Sequence, residues 1–548
     1  MSGVPLRSIR GPTPATFARR KRDEATVPLD VGTARHNVAM LLDALVATSA
    51  QVASTRSRLA KRAALVELLR RATPDDVEIV VAYLSGEVRQ RRTGIGWASL
   101  RALPAPTDEP ELTLTDVDSV LQHISELSGQ GSAGSRTAAL ASLFARATAV
   151  EQDFLRRLIS SEIRQGALDS AMIDAVAVAS SVPLTVLRRA VMLCGATGPV
   201  AVAALAGGSA AVEAFTLQVG RPVRPMLAST APDITAALDK LGAGVPVSVD
   251  AKLDGIRIQA HKDGSHVRLY TRSLDDITDR LPEVVDVVRS SSADRLILDG
   301  EALALDPTGR PRPFQETAAR TASESSNPVA TDAVSCFFFD ILSVDGEDLI
   351  DLPLRERLVR LDLAAPPGSR VARIVTADTD EARDFFEATV AAGQEGVVVK
   401  SLDAPYDAGR RGAAWVKVKP RQTLDLVVLA VEWGSGRRTG KLSNIHLGAR
   451  DPDTGSLVML GKTFKGMTDE MLAWQTERFL ALETSRAGHV VHLRPEQVVE
   501  IAFDGVQRST RYPGGMALRF ARVLRYRDDK SAAEADTIET VRRVAAQG

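Results

Sequence analysis

From about residue 36 to 215, apolar residues recur at three- to four-residue spacing, with Pro and Gly clusters between the runs. This pattern predicts a succession of amphipathic helices. Met40 opens the first; Leu59, Ala63, Val66 and Leu69 mark another stripe, and Phe154, Leu155, Leu158, Ile159 and Ile163 a third. From about 220 to 420 the period changes, and short β-branched runs alternate with helical ones such as Pro353 to Val359. Val245 to Val249, then Ile256, Ile258 and Ala260, predict two strands joined by a tight connection, and Asp263-Gly264 predicts a hairpin onto Val267, Leu269 and Thr271. Beyond Pro420, a strand from Leu424 to Val431 opens a β-rich, Gly- and Arg-punctuated segment that ends near Arg527 and suits a small OB barrel with a helical tail.

The expected fold class is therefore multidomain α+β, and 548 residues with 45% apolar content suffice for about three separate cores. The expected division is a disordered tail over 1–35, a helical domain over 36–218, an α+β domain over 219–420 and the barrel with its helical tail over 421–548. Arg221 to Ala228 is an extended, proline-marked linker, and Ser323 to Pro328 a surface loop. Net charge is −1, so no global basic field announces a nucleic acid, although one face can still concentrate positive charge. Arg89 to Gly96 and Ser135 to Thr137 read as loops offering N–H groups and guanidinium to a phosphate backbone. Arginines that merely solvate a helical bundle explain the same residues equally well. The run Arg19 to Arg22 lacks the apolar core of a secretory signal, and no stretch of about 18 apolar residues exists to span a membrane.

The candidate chemistry lies in the lysines. The chain has 12 lysines against 56 arginines, and Lys252, Lys400, Lys417, Lys419 and Lys530 fall in short strand-like motifs or one C-terminal basic cluster. Arginine stays protonated, whereas a buried lysine can shed its proton and become a nucleophile. Held in a turn beside Gly255, Lys252 is placed to attack a phosphate and form a P–N bond; an isolated Lys-x-Asp-Gly reads more readily as an ordinary strand turn with an exposed lysine.

The wider series decides between them: Lys252-Leu-Asp-Gly-Ile-Arg257, Tyr270-Thr-Arg272, Leu298-Asp-Gly-Glu301, Phe337-Phe-Phe-Asp340, Glu395-Gly-Val-Val-Val-Lys400, Trp415-Val-Lys-Val-Lys-Pro420 and Leu518-Arg-Phe-Ala-Arg522, running into Arg525 to Lys530. In order and spacing it resembles the nucleotidyltransferase motifs of the ATP-dependent DNA ligases, in the subgroup shared by archaeal, eukaryotic and some bacterial enzymes, and specifically an actinobacterial-like member. Phe154 to Asp174, with Arg164 to Ala167, resembles that subgroup's helical DNA-binding domain. The resemblance implies that 219–420 is the adenylation domain, and that the chain seals 5′-phosphate, 3′-hydroxyl nicks in duplex DNA during replication, repair or recombination.

It also implies roles. Lys252 is the nucleophile toward ATP, its proton loss favoured by Lys400 and Lys417. Asp250 stands where relatives have a glutamate that reads adenine. Arg257 and Arg272 contact the ribose region and a phosphate, Phe339 stacks on adenine, and Glu301 and Glu395 serve Mg²⁺ (or Mn²⁺), one of them also the ribose. Arg411, Lys417 and Lys419 belong to the final strand motif and its preceding loop, and Arg519 and Lys530 to a C-terminal motif that covers the outer phosphates. The site departs from the pattern at Asp250, shorter than glutamate, and at Ala521, where many relatives have proline. RNA ligases and capping guanylyltransferases share the Lys-x-Asp-Gly core, but the helical region argues against both. Retention of every titratable motif residue argues against a DNA clamp without chemistry. Cys194 and Cys336 cannot build the four-cysteine zinc module of NAD-dependent ligases, which favours ATP. The expected protein is a cytoplasmic monomer acting on nicked duplex DNA.

Overall fold

The computed structural model describes residues 39–90, 93–163, 168–322, 334–408, 411–420 and 422–547. The expected tail over 1–35, the surface loop Ser323 to Pro328 and the segment Arg164 to Ala167 lie outside these residues.

The first third is helical, from the helix Leu42–Ser54 to the helix Thr197–Glu213, around one core that includes Leu45, Leu68, Tyr83, Leu121, Phe144, Leu155 and Val176. Several helices start on side-chain caps that satisfy otherwise orphaned N–H groups: Thr113 and Thr148 each form a reciprocal capping box, with Asp116 and Glu151. The stripe read on the helix Arg58–Arg71 is half right: Val66 and Leu69 are buried, but Leu59 is 68% exposed, and Ala64, Leu65 and Leu68 complete the core face. That helix packs on both Leu42–Ser54 and Leu168–Ser180, so its apolar surface is too wide for one stripe to locate the core. Ser135 to Thr137 falls inside the helix Ser132–Ala145 rather than in a loop, and Arg136 there donates to the Leu127 carbonyl.

The central region is a pair of facing sheets. Its strands are β1 Leu227–Thr230, β2 Val247–Lys252, β3 Ile256–Asp263, β4 His266–Thr271, β5 Arg295–Ala304, β6 Val334–Val344, β7 Glu347–Asp348, β8 Arg373–Thr376, β9 Gly396–Ser401 and β10 Arg411–Val418. One sheet runs β1-β10-β9-β2-β8 and the other β4-β3-β5-β6-β7. Because side chains alternate across a strand, Val247, Val249, Val397, Val399, Val416 and Val418 all face the helices Ile234–Leu241 and Thr379–Ala391, in one apolar cluster. Ser248, Asp250, Lys252, Lys400, Trp415 and Lys417 are thereby turned to the other face. On the second sheet, Ile258, Leu269, Leu298 and Phe338 pack outward beneath the helices Pro282–Arg289 and Leu354–Ala364. Arg257, Asp299, Glu301 and Phe339 are left facing the first sheet. The seam holds Ala251 and Leu253 with Leu303, and Ile297 and Leu342 with Trp415.

The remainder is β-rich: β11 Gln422–Trp433, β12 Leu442–Arg450, β13 Leu457–Thr463, β14 Glu483–Ala487, β15 Val490–Leu493, β16 Val498–Phe503, β17 Gly505–Arg508, β18 Met516–Arg519 and β19 Arg522–Tyr526. Seven of these form one sheet centred on the long β11, which pairs β12, β15 and β16, while β17 and β18 form a separate ribbon. The helices Asp469–Ala481 and Ile538–Gln547 close the core through Phe479, Ile538 and Val541. Among the described residues no helix is long and apolar enough to cross a membrane.

Candidate active site

Lys252 is the last residue of β2, opposite Gly396 of β9, and the turn Leu253 to Gly255 carries the chain into β3. A side chain at Gly255 would place its Cβ 2.4 Å from the Ala302 carbonyl oxygen, so the close seating of this turn on β5 requires glycine. Gly396, at φ +140°, is bound likewise: a Cβ there would lie 2.2 Å from the Val418 carbonyl oxygen. These two contacts fix the backbone on both sides of the lysine.

Three acidic groups surround the ammonium. Glu395, just before β9, ion-pairs with Lys252 through one carboxylate oxygen and with Lys419 through the other. Glu301 on β5 accepts the Gly255 N–H at 3.2 Å, and Asp254 adds its charge from the turn. Burial pushes the Lys252 ammonium below its ordinary range, and the Arg257 and Arg272 charges act in the same direction, against Glu301 and Asp254. Burial pushes the Glu301 carboxyl up to about 7 despite Lys252 and Arg257. Lys419 is lowered by burial and by the Lys252 charge. The expectation that Lys400 stands beside Lys252 is therefore corrected. Lys400 pairs with Ser248, four residues back along β2 and roughly 13 Å from Lys252 along the strand, and its ammonium is spent on Asp250 at 2.5 Å.

That second ion pair is buried in an aromatic corner. The Lys400 ammonium lies 4.6 Å from the Phe339 ring centre and 4.5 Å from that of Trp415, and the two rings meet edge-on at 5.9 Å. Phe339 is the extra residue of a β-bulge: Asp299 pairs with Asp340 while Gly300 pairs with Phe338, which turns the Phe339 ring into the cleft. Phe338 is fully buried and structural, and Asp340 is consumed by a solvent-free ion pair with Arg357. Asp250 accepts the Ser248 hydroxyl at 2.5 Å besides holding Lys400, so its carboxylate is engaged within the protein. Arg257, expected to offer a fork to ligand, instead grips Asp299 at 3.0 and 2.6 Å and the Met226 carbonyl at 2.6 Å.

The barrel supplies the final wall. Arg519, at the end of β18, ion-pairs with Asp254 at 3.1 Å and lies 5.3 Å from the Phe314 ring, and Asp504 reaches Lys419 at 3.5 Å. Arg519 thus joins the lysine cluster, but the structure does not bring Lys530 there. Lys530 and Arg527 both hold Asp425 within the barrel, at 2.6 and 2.9 Å, while Arg525 holds Glu500. Their crowding along the sequence comes from alternation and turns around β19, which send neighbours to different partners. Arg272 is exposed beyond β4, Lys417 is half-buried in β10 opposite Val398, and Arg411 begins β10.

Sequence reasoning missed Asp299, Tyr406, Trp415, Asp254 and Asp504 as parts of this site. Asp254, Asp299 and Trp415 lie inside motifs quoted for their neighbours, a signal available but not used. Tyr406 and Asp504 meet partners 107 and 85 residues away, which no local pattern reports. The described residues hold one group of three carboxylates close enough to share a cation, Asp451, Asp453 and Glu539, and it lies in the C-terminal region rather than around Lys252.

Three family profiles match the chain in the order of its three regions: DNA ligase N terminus over residues 98–177, ATP dependent DNA ligase domain over 225–419, and ATP dependent DNA ligase C terminal region over 438–530. A probable DNA ligase of Beutenbergia cavernae is 66% identical over 512 residues, 92% of this chain and 100% of that one. The chain belongs to the ATP-dependent DNA ligase family. Another probable DNA ligase, from Mycolicibacterium gilvum, is 58% identical over 93% of this ligase and 100% of its own length. A solved structure described as Pmar-Lig_Pre shares the fold at a TM-score of 0.59 and 18% identity, over 88% of this chain and 99% of its own. Together with the ATP-dependent class, the profiles account for the order of helical, two-sheet and barrel regions along this ligase.

Proposed function

We propose that this ligase seals 5′-phosphate, 3′-hydroxyl nicks in duplex DNA through a covalent AMP adduct on Lys252. The observation that carries the reading is the convergence of Glu395, Glu301 and Lys419 on one half-buried lysine, with Arg519 of the barrel anchored two residues away. A lysine lowered by burial loses its proton more readily, and Glu395, in contact with Nζ, is placed to accept it. The Nζ lone pair then forms the bond to the ATP α-phosphorus while the bond to the bridging oxygen breaks, and pyrophosphate leaves with that electron pair. Lys419 and Arg519 face the charge that develops on the leaving group. Phe339 offers the adenine a stacking face, a contact of about 1–3 kcal/mol. AMP passes next to the DNA 5′-phosphate, and the 3′-hydroxyl finally displaces it.

Glu301 and Glu395 are hard oxygen donors of the type Mg²⁺ selects, and a carboxyl pushed up to about 7 by burial gains from an added cation, so the pair fits this metal. Bound there, it would supply charge neutralisation on the phosphates. Nicked duplex DNA is the substrate and the protein acts as a cytoplasmic monomer, which light scattering at working concentration checks.

Incubation with labelled ATP tests the reading. Wild type should give a labelled band that disappears on adding nicked DNA, and Lys252→Ala and Lys252→Arg should give none, because alanine lacks the nitrogen and guanidinium stays protonated. Full labelling of either variant would refute the assignment, and labelling by GTP instead would indicate a capping-type enzyme.

A further inference from the structure

Tyr406 lies outside every motif, yet its hydroxyl stands at the centre of the polar network behind the cleft. The side chain is 2% exposed, and its backbone N–H is held by the Ile350 carbonyl at 2.8 Å. The hydroxyl donates to Asp299 Oδ2 at 2.8 Å and accepts the Met226 N–H at 3.1 Å, with Arg257 Nη2 at 3.5 Å. A phenol has one donor and two acceptor positions, and all three are used. Asp299, 1% exposed, receives the Arg257 fork on both oxygens besides the tyrosine. The Met226 peptide is bracketed from both sides, its N–H by Tyr406 and its C=O by Arg257.

The output of this network is the placement of one guanidinium. Arg257 lies on β3 directly opposite Glu301, 5.5 Å from the Phe339 ring and 5.8 Å from Trp415, so it borders both the carboxylate beside Lys252 and the aromatic corner. Its Nε, Nη1 and Nη2 each donate to a protein acceptor, so that the guanidinium is held in place and contributes a fixed charge. An arginine that lost one oxygen of Asp299 would have to find another acceptor, and the charge would move.

We propose that Tyr406 is a positioning residue for lysine adenylylation, its buried hydroxyl locking Asp299 onto the Arg257 fork and so fixing the Arg257 charge beside Glu301 and the nucleophile. The proposal rests on Lys252 being the nucleophile, so mapping the AMP label to a Lys252 peptide by mass spectrometry separates a failure of that reading from a failure of this one. Tyr406→Phe should lower the maximal single-turnover rate of self-adenylylation about tenfold while the half-saturating ATP concentration stays within about twofold, since the misplaced charge acts on the reacting atoms and not on the base. In an Arg257→Lys background, where the fork no longer exists, Tyr406→Phe should cost almost nothing further. A tyrosine that only holds the fold would instead weaken resistance to denaturant equally in both backgrounds and leave the rate unchanged. An unaltered rate, or the same factor lost in both backgrounds, overturns the proposal. If Tyr406→Phe gives no folded protein, Asp299→Asn takes its place in the same cycle, with the same two outcomes deciding.

Discussion

The two junctions of the central region are built from different physics. Toward the helical domain, the linker is sewn to the sheet by hydrogen bonds, one buried and two half-buried: Val223 N–H to Gln259 at 2.8 Å, Gly220 N–H to His261 at 3.0 Å, and Tyr270 hydroxyl to Gly220 C=O at 2.7 Å. Met192 and Leu193 then enter an apolar cluster with Ile297, Leu342, Tyr406 and Trp415, and the Ala408 N–H bonds the Met192 sulfur at 3.3 Å. Toward the barrel, the contacts described are polar and partly wet: Arg519–Asp254 with side chains 23% and 34% exposed, and Lys419–Asp504 with 22% and 25%. Among the described residues no buried apolar cluster joins the barrel to either sheet. Exposed ion pairs contribute about 0–1 kcal/mol each, whereas burying one large apolar side chain contributes about 1.5–3 kcal/mol. The barrel junction is thus the one that costs little to break.

The largest expected effect comes from the barrel side. Arg519→Ala should slow self-adenylylation about 10²-fold, the scale of losing one charge-stabilising donor, while sealing of a pre-adenylylated nick falls far less. Lys530→Ala, whose ammonium is held by Asp425, should slow the first step less than Arg519→Ala; equal losses in parallel single-turnover assays would place both cations over the phosphates. On the helical side, Met192→Ala should cost about 2–4 kcal/mol in chemical denaturation. Its proteolytic cleavage at the barrel junction should match wild type, and coupled loosening of both junctions would erase the contrast.

His261 sharpens the comparison through pH. Burial pushes its imidazole down to about 3, so the folded state stays neutral where the unfolded chain, with an ordinary histidine near 6.5, takes up a proton. Stability from this group is complete above about pH 6.5 and declines as pH falls toward about 3, on the order of 1 kcal/mol per unit at most. His261→Asn should flatten that part of the stability profile, and an identical acid slope in wild type and variant would contradict the assignment. The smallest effect is ionic. Raising salt from roughly 50 mM to 0.5 M should lower energy transfer between dyes on the barrel and the sheets, and leave transfer between the sheets and helical domain unchanged.

How much of this was legible in the sequence follows the range of the interactions. The Lys252 turn, the β3–β4 hairpin and the run of helices depend on neighbours a few residues away, and period and turn chemistry expose them. The core face of Arg58–Arg71 and the helical state of Ser135 to Thr137 depended on which elements pack beside them, and were misread. At the site, residue types were legible but partners were not. Asp250 and Arg257 were read as ligand-facing because their partners Lys400 and Asp299 come from other strands, 150 and 42 residues away. Lys530 was grouped with Arg519 by adjacency, although strand geometry sends it to Asp425.

The aromatic corner also gives this ligase a built-in optical reporter. Of the four tryptophans, Trp97 lies in the helical domain, Trp433 and Trp474 in the barrel, and Trp415 alone in the two-sheet region. Its indole is buried against the Phe339 edge, with the Lys400 ammonium 4.5 Å from the ring centre. With the other three replaced by phenylalanine, the remaining emission would arise from a single site beside Phe339, the ring proposed to stack on the base. Arrival of adenine there would change the polarity and quenching that the indole experiences, so occupancy of the cleft could be followed in real time without a label on nucleotide or DNA.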